Sequence, residues 1–148
     1  MRKLSENIVR TNDVIGKKIH SLNGENLGKV EELILDKITG QVRYAVLANG
    51  GFMGIGSAFY AIPWHSLEYC IEHDAFQVNF SKDDLKTAPG FNKDCWPDFT
   101  DPLWDKSTNE FYNYLIIPKS QMPKEQTDFI SEGGNSQPLN KDIQSWKI

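Results

Sequence analysis

Apolar and polar positions alternate with period two over much of the first eighty residues, the signature of strands with one face inward. Leu67, Tyr69 and Ile71 alternate with Glu68, Cys70 and Glu72, and Phe76, Val78 and Phe80 alternate with Gln77 and Asn79. His73-Asp74 lies between the two runs, so they read as a hairpin with one buried and one wet face. Val42, Tyr44, Val46 and Ala48 share one parity and Ala45 and Leu47 the other, so this strand is expected to be covered on both faces. Phe59 to Trp64 reads as its return strand, with Pro63, which has no amide to donate, at an end or edge. From Leu27 to Asp36 the alternation slips phase: either the strand is buried on both faces towards its end or, the preferred reading, a bulge near Glu31–Glu32 shifts the phase. Neighbouring strand residues point to opposite faces, so these two glutamates do not form an acid–base pair.

Turn chemistry separates these runs. Asn23-Gly24, between Leu22 and Leu27, predicts a type I′ hairpin turn. Asp36 opens and Gly40 closes another turn, and Gly16 marks a third, between Val14-Ile15 and Ile19. About six short strands joined by tight turns suggest a small closed barrel, since closure removes exposed edges. No helical stretch separates the strands, which excludes a helix-layered α/β fold.

The pattern changes after Phe80. Ser81-Lys-Asp-Asp84 resembles a capping box opening a short helix that Ala88-Pro89-Gly90 ends. Phe91, Trp96 and Phe99 stand in an irregular stretch and are expected to pack on the outside of the barrel. Asp101-Pro102 reads as an N-cap and first-turn proline, followed at helical spacing by Leu103, Trp104, Ser107, Phe111, Tyr112 and Leu115. An amphipathic helix over Pro102–Leu115 follows, with packing on its own barrel favoured over a partner site for its stripe. Beyond Lys119 the apolar residues thin out, and a mobile polar tail is expected, in which Ile143, Trp146 and Ile148 are the residues able to dock. The segments divide as a lead-in (1–12), a barrel (13–81), an extension packed on it (82–118) and the tail (119–148).

Charge narrows the function. The net charge is −4, with +2 on residues 1–12 (three basic, one acidic), −6 on 13–118 (nine basic, fifteen acidic) and zero on 119–148 (four of each). An acidic body argues against nucleic acid as the main partner, because phosphate contacts need clustered Lys and Arg. Neither a membrane span nor a signal peptide is legible, so a cytoplasmic location is expected. Cys70 and Cys95, with His20, His65 and His73, do not make a zinc pattern, and neither a metal nor a cofactor is expected.

The loop Gly51-Phe-Met-Gly-Ile-Gly56 suggests a phosphate cradle at first sight. It lacks the third glycine of a dinucleotide fingerprint and a P-loop lysine, and strand follows it, not helix. Its Phe52, Met53 and Ile55 either cap the core or form a contact surface. His73-Asp74 reads as a turn in solvent, not half a dyad. His65, Ser66 and Glu68 stand too close together in a strand to converge as a catalytic set. An enzyme is therefore not expected.

Together, Ile15-Gly16-Lys17, Gly24-Glu-Asn-Leu-Gly-Lys-Val30, Leu35-Asp36, Gly40-Gln-Val-Arg-Tyr-Ala-Val-Leu47, Gly50-Gly51-Phe52, Gly54-Ile-Gly56 and Ala61-Ile-Pro-Trp64 resemble the PRC-barrel family. Leu85 to Phe91 and Trp96-Pro97-Asp98 look like the downstream part of stand-alone bacterial members, and the resemblance runs from Asn12 to Tyr114. It implies a mainly β chain, a six-stranded PRC-type barrel with a C-terminal helical extension, acting as a non-enzymatic interaction or scaffolding module. On that reading the chain self-associates or docks on a protein partner. The candidate contact residues are Phe52, Met53 and Ile55 in the loop and Trp104, Phe111 and Tyr112 in the helix. Other members imply two alternatives: an RNA- or ribosome-associated maturation factor, and a subunit associated with a photosynthetic reaction centre or electron transport. The sequence shows no counterpart of the reaction-centre H subunit's N-terminal membrane helix or of the ribosome factor's extra N-terminal domain, so neither specific role is expected to carry over whole.

Overall fold

A computed structural model describes residues 7–50 and 58–116. The loop residues Phe52, Met53 and Ile55 and the tail beyond residue 116 lie outside the described residues.

Six strands form one mixed sheet. They are β1 (Lys18–His20), β2 (Asn26–Leu35), β3 (Val42–Asn49), β4 (Ala58–Pro63), β5 (Leu67–Cys70) and β6 (Ala75–Val78). A one-turn helix, α1 (Thr11–Val14), precedes them, and α2 (Lys82–Lys86) and α3 (Pro102–Ile116) follow. The spatial order is β4-β3-β2-β1-β6-β5, antiparallel throughout except for the parallel pair β1–β6. The end strands β4 and β5 do not pair with each other. The barrel expected to be closed is thus an open half-barrel: a 3₁₀ turn, Trp64–Ser66, carries the chain from one edge strand to the other.

Central β3 is buried on both faces, as its pattern predicts: Tyr44, Ala45, Val46 and Leu47 are all at most 2% exposed. Ala45 and Leu47 join the main core with Val30, Ile62 and Val78. Tyr44 meets Phe99 and Trp104, with ring centroids 6.3 and 5.2 Å apart. The predicted bulge in β2 is present: the register steps from Val30↔Leu47 to Glu32↔Val46, leaving Glu31 unpaired.

The first hairpin departs from its type I′ expectation. Gly24 has φ +81° but Asn23 is not left-handed, and the Gly24 amide donates to the Ser21 carbonyl at 3.0 Å. The Ser21 hydroxyl accepts from the Asn23 and Glu25 amides, and this longer loop is the arrangement that holds them. Gly28 is constrained by contact as well as by its φ of +141°, since a Cβ there would stand 2.0 Å from the Ala48 carbonyl oxygen.

Beyond the sheet, Ser81 and Asp84 form the predicted capping box at 3.1 and 2.9 Å. Phe59 and Phe91 exchange two backbone hydrogen bonds, 2.8 and 2.9 Å, which cover the outer edge of β4. Phe91 and Trp96 stack on Phe59, with centroids 5.9 and 5.7 Å away. Asp101 caps α3 by accepting the Leu103 amide at 2.9 Å. Leu103 is 77% exposed, contrary to its place in the predicted stripe; Tyr112 is buried as the stripe has it, and Thr108, outside the stripe, is buried beside it.

Candidate interaction surface

One end of the half-barrel is left open. There a cavity of about 500 Å3 is lined by Val14 at the end of α1, Leu33 and Val42 from the β2–β3 hairpin, Trp64 from the 3₁₀ turn, and Tyr69 and Phe76 from the β5–β6 hairpin. Phe76 stacks edge-on against both Trp64 and Tyr69, with centroids 5.6 and 5.4 Å apart, giving a rigid aromatic wall. Trp64 is only half-buried because the cavity takes up its remaining face. The size and lining are those of a ligand or side-chain socket.

Three exposed apolar side chains, Ile8, Val9 and Tyr69, line this cavity, and others neighbour its lining segments along the chain. Eleven large apolar side chains are exposed among the described residues, and seven stand on or beside the lining segments. They are Ile8 and Val9 before α1, Ile15 after it, Leu35 and Ile38 at the end of the β2–β3 hairpin, and Tyr69 and Ile71 on the β5–β6 hairpin. Scattered apolar side chains need no explanation, but a contiguous patch marks a contact surface.

The rim is polar and internally paired. The Lys17 ammonium and the Tyr69 hydroxyl both donate to the Asp74 carboxylate. Asp74 reaches both because its backbone is left-handed, φ +47°, which Asp tolerates better than most residues. The turn expected in free solvent is thus an anchored one. These bonds hold the Asp74 carboxyl below its usual range, chiefly through Lys17 and then Tyr69. They raise Lys17 and Tyr69, each chiefly through its bond to Asp74. Asp13, also on the lining, has Arg10 3.8 Å away.

His65, Ser66 and Glu68 are brought together after all. The 3₁₀ turn replaces the expected strand there, and all three line a depression of about 360 Å3 with Gln77 and Asn79. The Ser66 hydroxyl is buried without a hydrogen-bond partner among the described residues, and His65 Nε2 lies 3.1 Å from Asn113 Oδ1. Cys70 and Cys95 are free thiols, and no group of three His, Cys, Asp or Glu among the described residues is placed to hold a metal ion. No helix among them is long and apolar enough to cross a membrane.

The candidate contact residues of α3 sit differently from one another. Tyr112 is 0% exposed, packed 5.5 Å from Phe80, and is a core residue, not a contact. Trp104 and Phe111 are half-buried, Trp104 against Tyr44 and Phe99. Sequence patterning missed the mouth because its residues come singly from segments between Ile8 and Phe76. The available signal was an isoleucine, Ile38, in a turn that otherwise favours polar residues.

The sequence model of the PRC-barrel domain matches residues 6–85, more than half of the chain. The match ends within α2, short of the span to Tyr114 over which the resemblance was drawn. No curated protein matches the chain.

Proposed function

The chain belongs to the PRC-barrel family, and from that premise we propose that it is a non-enzymatic protein-interaction module whose contact surface is the apolar mouth of the half-barrel. The observation that carries this reading is the set of exposed apolar side chains, Ile8, Val9 and Tyr69, that line a preformed, aromatic-walled cavity. An interface core of this kind combines rigid aromatic anchors with a polar rim. The acidic body, −6 over residues 13–118, favours a protein over a nucleic acid as partner.

The test is photo-crosslinking with a benzophenone side chain at Ile8, beside the mouth, and separately at Leu103, which is as exposed but lies on α3. A protein adduct from position 8, lost when Ile71→Asp is added and absent from position 103, is the expected outcome. Adducts from position 103 alone, or from position 8 irrespective of Ile71→Asp, would refute the assignment of the surface. Both positions are exposed, so thermal stability should stay within about 0.5 kcal/mol of the parent.

A further inference from the structure

The two edges of the half-barrel are finished differently. On β4, Phe91 exchanges two backbone hydrogen bonds with Phe59 and covers the outer edge. No described segment pairs with the outer edge of β5, which has β6 as its one strand neighbour. It is also the one strand among the described residues without a buried residue: Leu67 and Cys70 are half-buried, and Glu68 and Tyr69 are exposed.

The edge has a definite register. The Leu67 amide donates to the Trp64 carbonyl within the 3₁₀ turn, which takes Leu67 out of the set that exchanges bonds with β6. Antiparallel pairs alternate, so Glu68 and Cys70 bond to Gln77 and Ala75, while Tyr69 turns its amide and carbonyl to the open side. Neither group of Tyr69 has a backbone partner there among the described residues.

One face of this edge also carries a charged seat. Glu68 and Gln77 are cross-strand partners, so their side chains share a face, and both line the depression of about 360 Å3 with Leu22, His65 and Asn79. Glu68 is the one carboxylate in that lining, which holds neither lysine nor arginine. No described lysine or arginine stands within 4.0 Å of its carboxylate. Within three residues of the lining in sequence, Glu25 and Lys82 offset each other and Asp74 is paired with Lys17. Lys18 and Lys29 share the face by strand alternation but lie on β1 and β2, with β6 between them and β5.

We propose that β5 is a docking edge for an extended segment of another protein that carries an arginine on the Glu68 face. Main-chain bonds to Tyr69 add the segment as a seventh strand, and the arginine enters the depression. Its planar fork matches the Glu68 carboxylate, the side-chain carbonyls of Gln77 and Asn79 accept its remaining donors, and Leu22 lies along its stem. A second copy of β5 fits poorly, since it brings another Glu68 and no cation to the pairing. The glutamate on a four-residue edge thus opposes self-pairing and recruits a basic strand. This edge is a surface in its own right, and the proposal does not rest on the mouth.

The test is NMR titration of the isotopically labelled full chain with three synthetic nonapeptides. One alternates valine and arginine, one alternates valine and glutamate, and the third is the arginine peptide with its β5-facing amides N-methylated. The arginine peptide should shift the Glu68, Tyr69 and Gln77 resonances and slow exchange of the Tyr69 amide. The glutamate and N-methylated peptides should each bind at least about tenfold more weakly. Glu68→Lys should weaken the arginine peptide at least about tenfold, and Glu110→Lys, an exposed charge on α3, should not. The body is acidic, so the N-methylated peptide separates strand pairing from attraction of charge alone. Equal binding of that peptide, affinity indifferent to Glu68→Lys, shifts confined to residues away from β5, or no binding up to about 2 mM each overturn the proposal. Both substituted positions are exposed, so a folded spectrum is expected from both variants.

Discussion

Tyr44 joins the barrel to the helix that lies beyond the family match, and Tyr44→Phe isolates what that joint contributes. The hydroxyl donates to Asp105 and accepts from Asn109 Nδ2 at 2.8 Å, and Arg43 reaches the same Asp105 oxygen at 3.1 Å. The substitution keeps the ring, its 5.2 Å edge contact with Trp104 and its burial, so it removes the hydrogen bonds alone. A bond to a charged acceptor is worth about 1.5–3 kcal/mol, and the Asp105 side chain is 32% exposed, which screens it. A loss of about 1–2 kcal/mol follows, or about 4–8 °C in Tm. Urea unfolding followed by tryptophan fluorescence gives the total, and amide exchange over Pro102–Ile116 shows whether α3 opens first. In a double-mutant cycle with Asp105→Asn, the coupling should be at least about 0.5 kcal/mol. A loss below about 0.5 kcal/mol with unchanged α3 protection would refute the anchoring role.

Four further outcomes are expected. Gly28→Ala should cost more than about 4 kcal/mol in urea unfolding, because the added carbon stands 2.0 Å from a β3 carbonyl at a φ that also disfavours it. Ser81→Ala should cost about 1 kcal/mol, the usual value of an N-cap, measured as a shift in the urea midpoint. On the acid side, the folded-state Asp74 carboxyl lies below its ordinary 3.8, so its contribution is present above that value and lost as pH falls through the folded pKa. Asp74→Asn should therefore flatten the decline of Tm between about pH 5 and pH 2 while lowering Tm at neutral pH. On the alkaline side, burial and then the bond to Asp105 raise Tyr44 above its ordinary 10.0, so stability is full below about pH 10 and falls above it as the unfolded phenol ionises first. Tyr44→Phe should remove part of that fall, leaving the share of Tyr112, which burial raises in the same way.

Strand identities were legible because burial imposes period two on side chains whatever their partners. The apolar run in β3 and the slipped phase at Glu31 can be read without knowing what lies opposite. The turn at Asn23-Gly24 was misread because its geometry depends on the Ser21 hydroxyl, which holds two amides that a two-residue loop would not present. Openness of the barrel was not legible either. It depends on whether β4 meets β5, and a three-residue 3₁₀ turn decides that against pairing. The mouth was hidden for a related reason. Asp74 looks like a solvated turn residue until Lys17, 57 positions away, is placed beside it.

The two ends of the chain's aromatic investment explain why the mouth, and not α3, is the surface to test. An open half-barrel has a bare edge at β4 and an exposed core at its open end. The segment after the family match covers the first: Phe91 pairs with Phe59, Trp96 and Phe99 stack beside it, and Trp104 meets Tyr44. Tyr112 then reaches the core itself, against Phe80. Those rings are already engaged within the chain, so recruiting them to a partner would first cost the contacts they make here. At the open end the described residues leave the rings of Trp64, Tyr69 and Phe76 facing a cavity, with exposed apolar side chains around it. Trp64 is half-buried and Tyr69 is 49% exposed, so apolar area at that end is still available to be removed from water.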